Sequence, residues 1–228
     1  MTVKSLVKMS LTDWDGKVSA VVFMSGCNYR CPYCHNWQLV EDPDSVDDVD
    51  WNDVLDYLES ASGWLDGVVV TGGEPTCDPA LPSLLEDIKD KGLPIKLDTN
   101  GSVPDVIESL IERGLVDYIA MDVKNSYKKY DETAGVRVNT DDIARSIELV
   151  RSLPEHEFRT TVVPGLVEPE DIATICAYIK GTKNFILQRF HPENVLNKEY
   201  SEVSPPSDEE MDALVELCPG DIPTEWRG

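Results

Sequence analysis

Short runs of β-branched and aliphatic residues alternate along the chain with segments of helical periodicity, and this alternation constrains the fold more than any other feature. In one segment Trp51, Val54, Leu55 and Leu58 stand at positions i, i+3, i+4 and i+7, which is one face of a helix. The predicted strands are 17–25, 67–72, 94–99, 116–124, 157–164 and 183–190. Further helices are predicted over 79–91, from Ser102 as N-cap to Gly114 as C-cap, and over 141–152, 169–180 and 207–217. Six βα units in succession predict an α/β fold with a parallel sheet.

Polar segments follow nearly every predicted strand at its carboxyl end. They are SGCNYRCPYCHNWQ (25–38), TGGEPT (71–76), DTNG (98–101), MDVKN (121–125), VVPG (162–165) and RFHPEN (189–194). The carboxyl ends of strands in a parallel α/β barrel meet on one face, where binding and catalytic groups lie. The sequence therefore predicts one site on that face.

The composition narrows the classes of protein. A length of 228 residues suits a single domain over 1–228, with a loop and a last helix (191–228) that close it. The formal charge of −23 disfavours binding to nucleic acid or to an anionic membrane, and we hypothesise that it reflects a high-salt cytoplasm. No apolar run approaches the ~20 residues of a membrane span, so we expect a cytoplasmic protein.

Three cysteines, Cys27, Cys31 and Cys34, lie within eight positions in the spacing C-x3-C-x2-C, in a loop over 26–37. Structural zinc needs four ligands, and His35 directly after Cys34 is poorly placed to supply the fourth. The other cysteines are far apart in the sequence. A [4Fe–4S] cluster normally takes four thiolates, so three would leave one iron open for a substrate or cofactor.

The cysteine spacing, with Tyr33 before the last cysteine and Gly72, Gly73 and Glu74 after the second strand, resembles the radical S-adenosylmethionine (SAM) superfamily. The resemblance implies a partial (β/α)6 TIM-like barrel of the radical SAM type. It also implies a [4Fe–4S] cluster whose open iron binds SAM. One electron from the cluster then yields methionine and a 5′-deoxyadenosyl radical. Tyr33 is counted among the cofactor-binding residues.

The motif Gly72-Gly73-Glu74 is expected to hold the SAM ammonium group, because glycines allow close backbone approach and a carboxylate neutralises a cation. The blocks LDTNG, MDVKN, FRTTVVPG and RFHPEN are similar to those of pyruvate formate-lyase activating enzymes. By that resemblance, a monovalent cation beside the SAM carboxylate is bound by Asp98, Thr99, the Ala120 carbonyl and Asp122. The same resemblance implies that Lys124, Arg159 and His191 surround SAM.

The N-terminal stretch KMSLTDWDGKVSAVVFMSGCNYRCPYCHN resembles the activating proteins of anaerobic ribonucleoside-triphosphate reductases. The resemblance implies that the chain installs a glycyl radical on such a reductase, with a flavodoxin or ferredoxin as electron donor. DWDGK lacks the proline that these relatives carry before the glycine, which leaves a substrate-side role of Asp13 open.

Three other functions remain open from the sequence. The chain could activate pyruvate formate-lyase, or act on a small molecule as 7-carboxy-7-deazaguanine synthase does. It could also be a non-catalytic iron–sulfur or zinc module, although this leaves the motifs outside the cysteine loop unexplained. Binding of SAM separates this last alternative from the others.

Overall fold

The structure is a computed structural model that describes residues 3–228. Its strands are β1 (Val3–Ser10), β2 (Ser19–Met24), β3 (Gly67–Gly72), β4 (Ile95–Thr99), β5 (Tyr118–Asp122), β6 (His156–Val162), β7 (Phe185–Arg189) and β8 (Thr224–Arg227). Its helices are α1 (Trp37–Glu41), α2 (Trp51–Ala61), α3 (Leu81–Asp90), α4 (Pro104–Glu112), α5 (Tyr130–Ala134), α6 (Thr140–Ser152), α7 (Pro169–Tyr178) and α8 (Asp208–Glu216). The six predicted strands are confirmed as β2 to β7, with bounds that differ by at most two residues.

The strands follow one another in chain order, β1 to β8, in one mixed sheet. β1 pairs antiparallel with β2, whereas β2 with β3, β3 with β4, β6 with β7 and β7 with β8 are parallel. The order ends at β1 and β8, so the sheet is not closed. The predicted α/β fold with parallel strands is confirmed, and an antiparallel strand is added to it.

The chain divides into two compact units. The first combines residues up to 28 with 36–99 and 105–119, and the second combines 29–35, 100–104 and 120–228. In the first unit, Val68, Val69 and Val70 of β3 have no exposed surface, as expected of a parallel strand covered on both faces. The inner faces of the helices complete this core, with Leu58 of α2 and Ile88 of α3 fully buried.

The core of the second unit is built from aromatic and aliphatic side chains. Phe158 of β6, Phe185 of β7 and Tyr130 of α5 have no exposed surface, and Ile143 and Ile147 form the buried face of α6. Full burial of side chains of this size contributes roughly 1.5–3 kcal/mol each. Among residues 3–228, no helix is both long and apolar enough to span a membrane.

Two strands at the ends of the sheet order, β1 and β8, were not predicted. β1 carries Lys4 and Lys8, and its buried and exposed residues do not alternate. It therefore lacks the two-residue hydrophobic period by which a strand is predicted. Lys4 is nonetheless only 6% exposed, because its ammonium lies 2.7 Å from Asp48 Oδ1 and donates to the Val46 carbonyl. β8 has four residues, two of them charged. Short, charged strands are typical of sheet edges.

The bounds of α4 correct one sequence prediction. The helix begins at Pro104, one residue later than Ser102 as N-cap implies, and a proline suits the first helical position, whose N–H has no helical partner. Gly114 is confirmed as the terminating residue. It has φ of +65°, and the Leu115 N–H donates to the Leu110 carbonyl.

His156, at the start of β6, is 2% exposed and hydrogen-bonded through both ring nitrogens. Nδ1 lies 2.8 Å from the Leu153 carbonyl and Nε2 lies 3.1 Å from Thr182 Oγ1. Burial lowers the pKa of His156 below its usual range, although the hydrogen bond to Leu153 opposes this. The unfolded chain therefore binds a proton at this residue more readily than the folded chain does.

We predict that His156 makes the folded state less stable as the pH falls below about 6.5, the ordinary pKa of histidine. Between pH 7.5 and 5.5 the residue should remove at most about 1.4 kcal/mol from the free energy of unfolding. Chemical denaturation at both pH values should show a smaller fall for His156→Gln than for the unsubstituted chain. Equal falls would contradict the assignment of a neutral, buried imidazole.

Candidate functional site

In the first unit, the turn after β3 lies directly against the start of the cysteine loop. β2 and β3 pair with Met24 opposite Gly72, so the segments that follow the two strands begin side by side. The Gly73 N–H donates to the Met24 carbonyl (2.9 Å), and the Glu74 N–H donates to the Gly26 carbonyl (2.7 Å). These bonds hold the predicted SAM motif against the residue that precedes Cys27.

The two glycines of the motif are required by this contact. A Cβ atom on Gly73 would lie 1.9 Å from the Gly26 carbonyl oxygen, and one on Gly72 would lie 2.3 Å from the Met24 carbonyl oxygen. Gly72 also has φ of +118°, which residues with side chains rarely adopt. The Asn36 side chain donates to the Gly72 carbonyl (2.7 Å). The close approach that the glycines permit is therefore to the end of β2, at Gly72, and to the start of the cysteine loop, at Gly73.

Glu74 is 2% exposed, and its carboxylate is held by neighbouring hydroxyl groups. Oε1 accepts from Thr76 Oγ1 (2.5 Å), the Thr76 N–H (3.1 Å) and Thr99 Oγ1 (2.7 Å). A buried carboxylate is favourable only when hydrogen bonds or a cation compensate for its desolvation. Thr99, predicted as a cation ligand, is thus joined to Glu74, and Thr76 is a site residue that the sequence did not single out.

Asp98, the other predicted cation ligand in this unit, lies beside a buried lysine. Lys96 is 3% exposed, and its Nζ lies 3.3 Å from Asp98 Oδ1 and donates to the Asp13 carbonyl (2.5 Å). The Ser10 hydroxyl donates to the Asp13 side chain and accepts from the Asp13 N–H. Asp13 therefore belongs to the turn after β1, where its carbonyl anchors Lys96. Lys96 stands two residues before Asp98 in a predicted strand, hence on the same face, and this spacing could have identified Lys96 from the sequence.

A pocket of about 430 Å³ lies at this end of the first unit. Its lining residues are Ser25, Gly26, Cys27, Asn28, Cys77, Asp78 and Pro79. Cys77 is exposed as a residue, but burial of its thiol, together with the charges of Glu74 and Cys27, raises its pKa to about 12. Cys77 therefore stays a protonated thiol at neutral pH.

In the second unit, the rest of the cysteine loop is held by two other segments. The Arg30 N–H donates to the Ala134 carbonyl (2.8 Å), and Gly135 leaves the space that this contact needs, since a Cβ there would lie 2.1 Å from Arg30 O. The Leu196 N–H donates to the Cys34 carbonyl (3.1 Å). Cys31 is buried and Cys34 is half-buried. The segment predicted to close the domain (191–228) therefore contacts the cysteine loop through its backbone at Leu196.

His191 takes part in this closure through its main chain. His35 Nε2 lies 2.9 Å from the His191 carbonyl, while the His191 side chain is exposed. The predicted contact of His191 with SAM stays a prediction, and the main-chain contact with His35 was not expected.

The predicted residues Asp122, Lys124 and Arg159 form one half-buried ion cluster in the second unit. Lys124 Nζ lies 3.0 Å from Asp122 Oδ2, and Arg159 Nε donates to Asp122 Oδ1 (2.8 Å). Burial alone would raise the pKa of Asp122, but the two cations outweigh it and hold the pKa at about 2. Asp122 is therefore a carboxylate at any physiological pH.

A second carboxylate extends this ion cluster and was not predicted. Glu157 is 3% exposed, and its oxygens lie 4.0 Å from Arg159 NH1 and 3.3 Å from Arg227 NH1 of β8. Glu157 stands two residues before Arg159 on β6, hence on the same face. The alternation of charge along that strand was the signal for it, whereas nothing in the sequence placed Arg227 beside it.

The surroundings of Lys124 connect this ion cluster with the cysteine loop. Burial opposes the charge of Lys124, but Asp122, with Tyr33 and Cys31 as lesser sources, raises the pKa of its ammonium well above the usual range. Tyr33 is 5% exposed, and its buried hydroxyl has no hydrogen-bond partner among residues 3–228. A cation near Cys31 favours the thiolate that an iron–sulfur cluster needs, and an unsatisfied hydroxyl is suited to a polar ligand. The cysteine thiols with a nearby ammonium group therefore fit an iron–sulfur cluster, and the unsatisfied Tyr33 hydroxyl fits a polar cofactor.

Among residues 3–228, no group of three or more His, Cys, Asp or Glu side chains that could hold a metal ion is found. The three thiolates of a cubane bind different irons, so they need not converge on a single ion. The monovalent cation expected at Asp98, Thr99 and Asp122 stays a prediction.

Comparison with known proteins gives concordant results. The sequence model of the Radical SAM superfamily matches residues 21–179. A protein of Methanocaldococcus jannaschii, whose name assigns it to the glycyl-radical enzyme activating enzymes, is 35% identical over 225 residues, which cover 95% of this chain and 91% of the relative. The 7-carboxy-7-deazaguanine synthase of Thermococcus kodakarensis is 25% identical over 207 residues (79% and 77% covered). The pyruvate formate-lyase-activating enzyme of Staphylococcus epidermidis is 27% identical over 235 residues (90% of either chain).

Solved structures show the same fold. The Streptococcus suis protein SuiB, bound to the precursor peptide SuiA, superposes with a TM-score of 0.68 at 16% identity over 90% of this chain. This chain spans 48% of the length of that protein. At this identity the likeness concerns the fold alone, and it confirms the partial barrel that the radical SAM resemblance implied.

We predict that Gly73→Ala destabilises the chain, because the added methyl group meets a backbone oxygen that cannot rotate away. The free energy of unfolding of the apo chain should fall by about 2 kcal/mol or more, and less iron should bind on reconstitution. Gly63→Ala is the matched control, since a Cβ there meets nothing within 4 Å. Chemical denaturation and iron analysis of both variants test this, and a neutral Gly73→Ala would show that the contact with Gly26 is not required.

Proposed function

Because the chain belongs to the radical SAM superfamily and, within it, to the glycyl-radical enzyme activating enzymes, we propose that it uses a [4Fe–4S] cluster and SAM to install a glycyl radical on an anaerobic ribonucleoside-triphosphate reductase. The cluster ligands are Cys27, Cys31 and Cys34. The observation that carries the proposal is the pair of backbone hydrogen bonds from Gly73 to Met24, at the end of β2, and from Glu74 to Gly26, at the start of the cysteine loop. A zinc or electron-transfer module would have no use for a buried carboxylate at that place.

When bound, the cluster supplies the single electron that cleaves the sulfonium of SAM. The chain itself binds and orients the cofactor and keeps water away from it. Glu74 is proposed to face the SAM ammonium, and its rigid hydrogen bonds with Thr76 and Thr99 fix its orientation. A carboxylate that is already held in its binding orientation contributes more to the affinity than a mobile one, because no reorganisation is needed on binding.

The opposite charge of the cofactor is proposed to meet the ion cluster of the second unit. Lys124 and Arg159 are held in place by the single carboxylate of Asp122. Two cations fixed in this way suit the SAM carboxylate, for which arginine offers paired donors. Tyr33 and His191 are proposed as further contacts with the cofactor, and a monovalent cation at Asp98, Thr99 and Asp122 remains part of the proposal.

The identity of the partner is supported by the N-terminal sequence rather than by the site. The stretch that runs through Asp13 to the cysteine loop resembles the activating proteins of the anaerobic reductases. The relative from M. jannaschii aligns over 95% of this chain, although its name does not specify a reductase. A flavodoxin or ferredoxin is proposed as the electron donor, by the same resemblance.

Hydrogen abstraction requires the target glycine of the partner to come close to the cofactor. A folded enzyme keeps such a glycine buried, so the partner must open the loop that carries it. The apparent affinity between the two proteins is therefore reduced by the fraction of time for which that loop is open.

The proposal predicts a glycyl-radical doublet in the EPR spectrum when the reduced protein, SAM and an anaerobic ribonucleotide reductase are combined without oxygen. One 5′-deoxyadenosine should form per radical. Glu74→Gln should lower the affinity for SAM roughly ten- to a hundred-fold, because a charge-assisted bond is lost in a buried site. Glu216→Gln, at an exposed position of α8, is the control and should not change it.

Two other substrates, pyruvate formate-lyase and a small molecule, give the results that would change the proposal. If pyruvate formate-lyase acquires the radical and the reductase does not, the chain is an activase with the other partner. If neither protein acquires a radical while a small-molecule purine precursor drives SAM cleavage, the activase assignment is wrong.

A further inference from the structure

Two cysteines outside the cysteine loop lie in contact in the second unit. Cys176, in α7, and Cys218, two residues after α8, are 42 positions apart in the chain, yet their Sγ atoms are 3.0 Å apart. Both are reduced. A disulfide has an S–S length of about 2.05 Å, so the two sulfurs need to approach by only about 1 Å in total. Rotation of the half-buried Cys218 side chain can supply such a movement.

The two thiols differ in accessibility and acidity. Cys176 is 1% exposed, whereas Cys218 is half-buried and reaches solvent. The hydrogen bond that Cys176 donates lowers the pKa of Cys218 to about 7, with Thr224 assisting and burial opposing. The same bond and burial raise the pKa of Cys176. A thiol with a pKa near the ambient pH is the most effective attacking group in thiol–disulfide exchange.

We propose that Cys176 and Cys218 form a redox modification site, in which Cys218 attacks a low-molecular-weight disulfide and Cys176 resolves the product into an intramolecular disulfide. In the first step the Cys218 thiolate bonds to one sulfur of the external disulfide, and the other sulfur leaves as a thiolate. In the second step the Cys176 sulfur displaces the remaining small thiol from Cys218. Two electrons pass from the protein to the external disulfide, and the two protein thiol protons end on the two small thiols released.

The position of the pair gives the modification a structural consequence. The chain between Cys176 and Cys218 contains β7, α8 and the segment around Leu196 and Asn197, whose N–H groups donate to the carbonyls of Cys34 and Pro32. The disulfide would tie the two ends of this stretch together. Cross-linking residues so far apart in sequence restricts the unfolded chain, so the oxidised form should be more stable.

The site can be tested with glutathione disulfide as the probe, added without oxygen to the reconstituted full-length chain. Peptide mapping should show one cross-link, between the peptides that contain Cys176 and Cys218, and the protein mass should fall by two hydrogens. The midpoint of thermal unfolding should rise by roughly 5–15 °C and return on reduction with dithiothreitol.

Two variants distinguish the roles of the cysteines. Cys176→Ser should stop at the mixed disulfide and carry one glutathione on Cys218, whereas Cys218→Ser should stay largely unmodified because Cys176 is buried. Cys77, exposed and outside the pair, is the internal control and should not appear in the cross-linked peptides.

Absence of the cross-link at excess probe, or equal modification of the two variants, would overturn the proposal. None of these readouts depends on SAM cleavage or on a partner protein. Failure of this site would therefore leave the proposed function standing, and failure of the proposed function would leave this site standing.

Discussion

The site depends on one backbone contact, in which the Gly73 and Glu74 N–H groups donate to the Met24 and Gly26 carbonyls. The contact follows from the register of β2 and β3. Because Met24 pairs with Gly72, the cysteine loop and the turn through Gly73 and Glu74 begin side by side. Only glycine can stand at 72 and 73, since any Cβ would overlap a carbonyl oxygen. The buried carboxylate of Glu74 is thereby held at a fixed place beside the cysteine loop. A change of register by one residue would take the Gly73 and Glu74 N–H groups out of line with the Met24 and Gly26 carbonyls.

The elements that could be predicted from the sequence are those with a strong local signal. β3 has three successive valines among its six residues and was predicted at its observed bounds, and α2 was predicted from the apolar residues that stand at helical spacing along it. β1 and β8 escaped prediction because they are charged strands at the ends of the sheet order, where pairing rather than composition decides the structure. The start of α4 was predicted one residue early, because Ser102 and Pro104 are both typical of helix starts.

In the site, motif residues were found and their supporting residues were missed. Glu74, Asp122 and Arg159 stand in recognisable blocks, whereas Thr76, Lys96, Glu157 and Arg227 hold them in place without belonging to a motif. Lys96 illustrates the reason. A lysine in a strand is usually exposed, and only the fold shows that its ammonium is buried beside Asp98 and the Asp13 carbonyl. The spacing from Asp98 is local, but the contact of Lys96 with the Asp13 carbonyl joins residues 83 positions apart, and which segments become neighbours is not local information in the sequence.

The central claim is that this chain carries out reductive cleavage of SAM, and the release of 5′-deoxyadenosine tests it most directly. The anaerobically reconstituted protein, with about four irons per chain as a cubane requires, should be reduced and given SAM without any partner. We expect equal amounts of 5′-deoxyadenosine and methionine, and none from Cys27→Ala, Cys31→Ala or Cys34→Ala, while Cys218→Ala retains the activity. A reduced, iron-loaded protein that leaves SAM intact, or a chain that binds stoichiometric zinc in place of iron, would contradict the account.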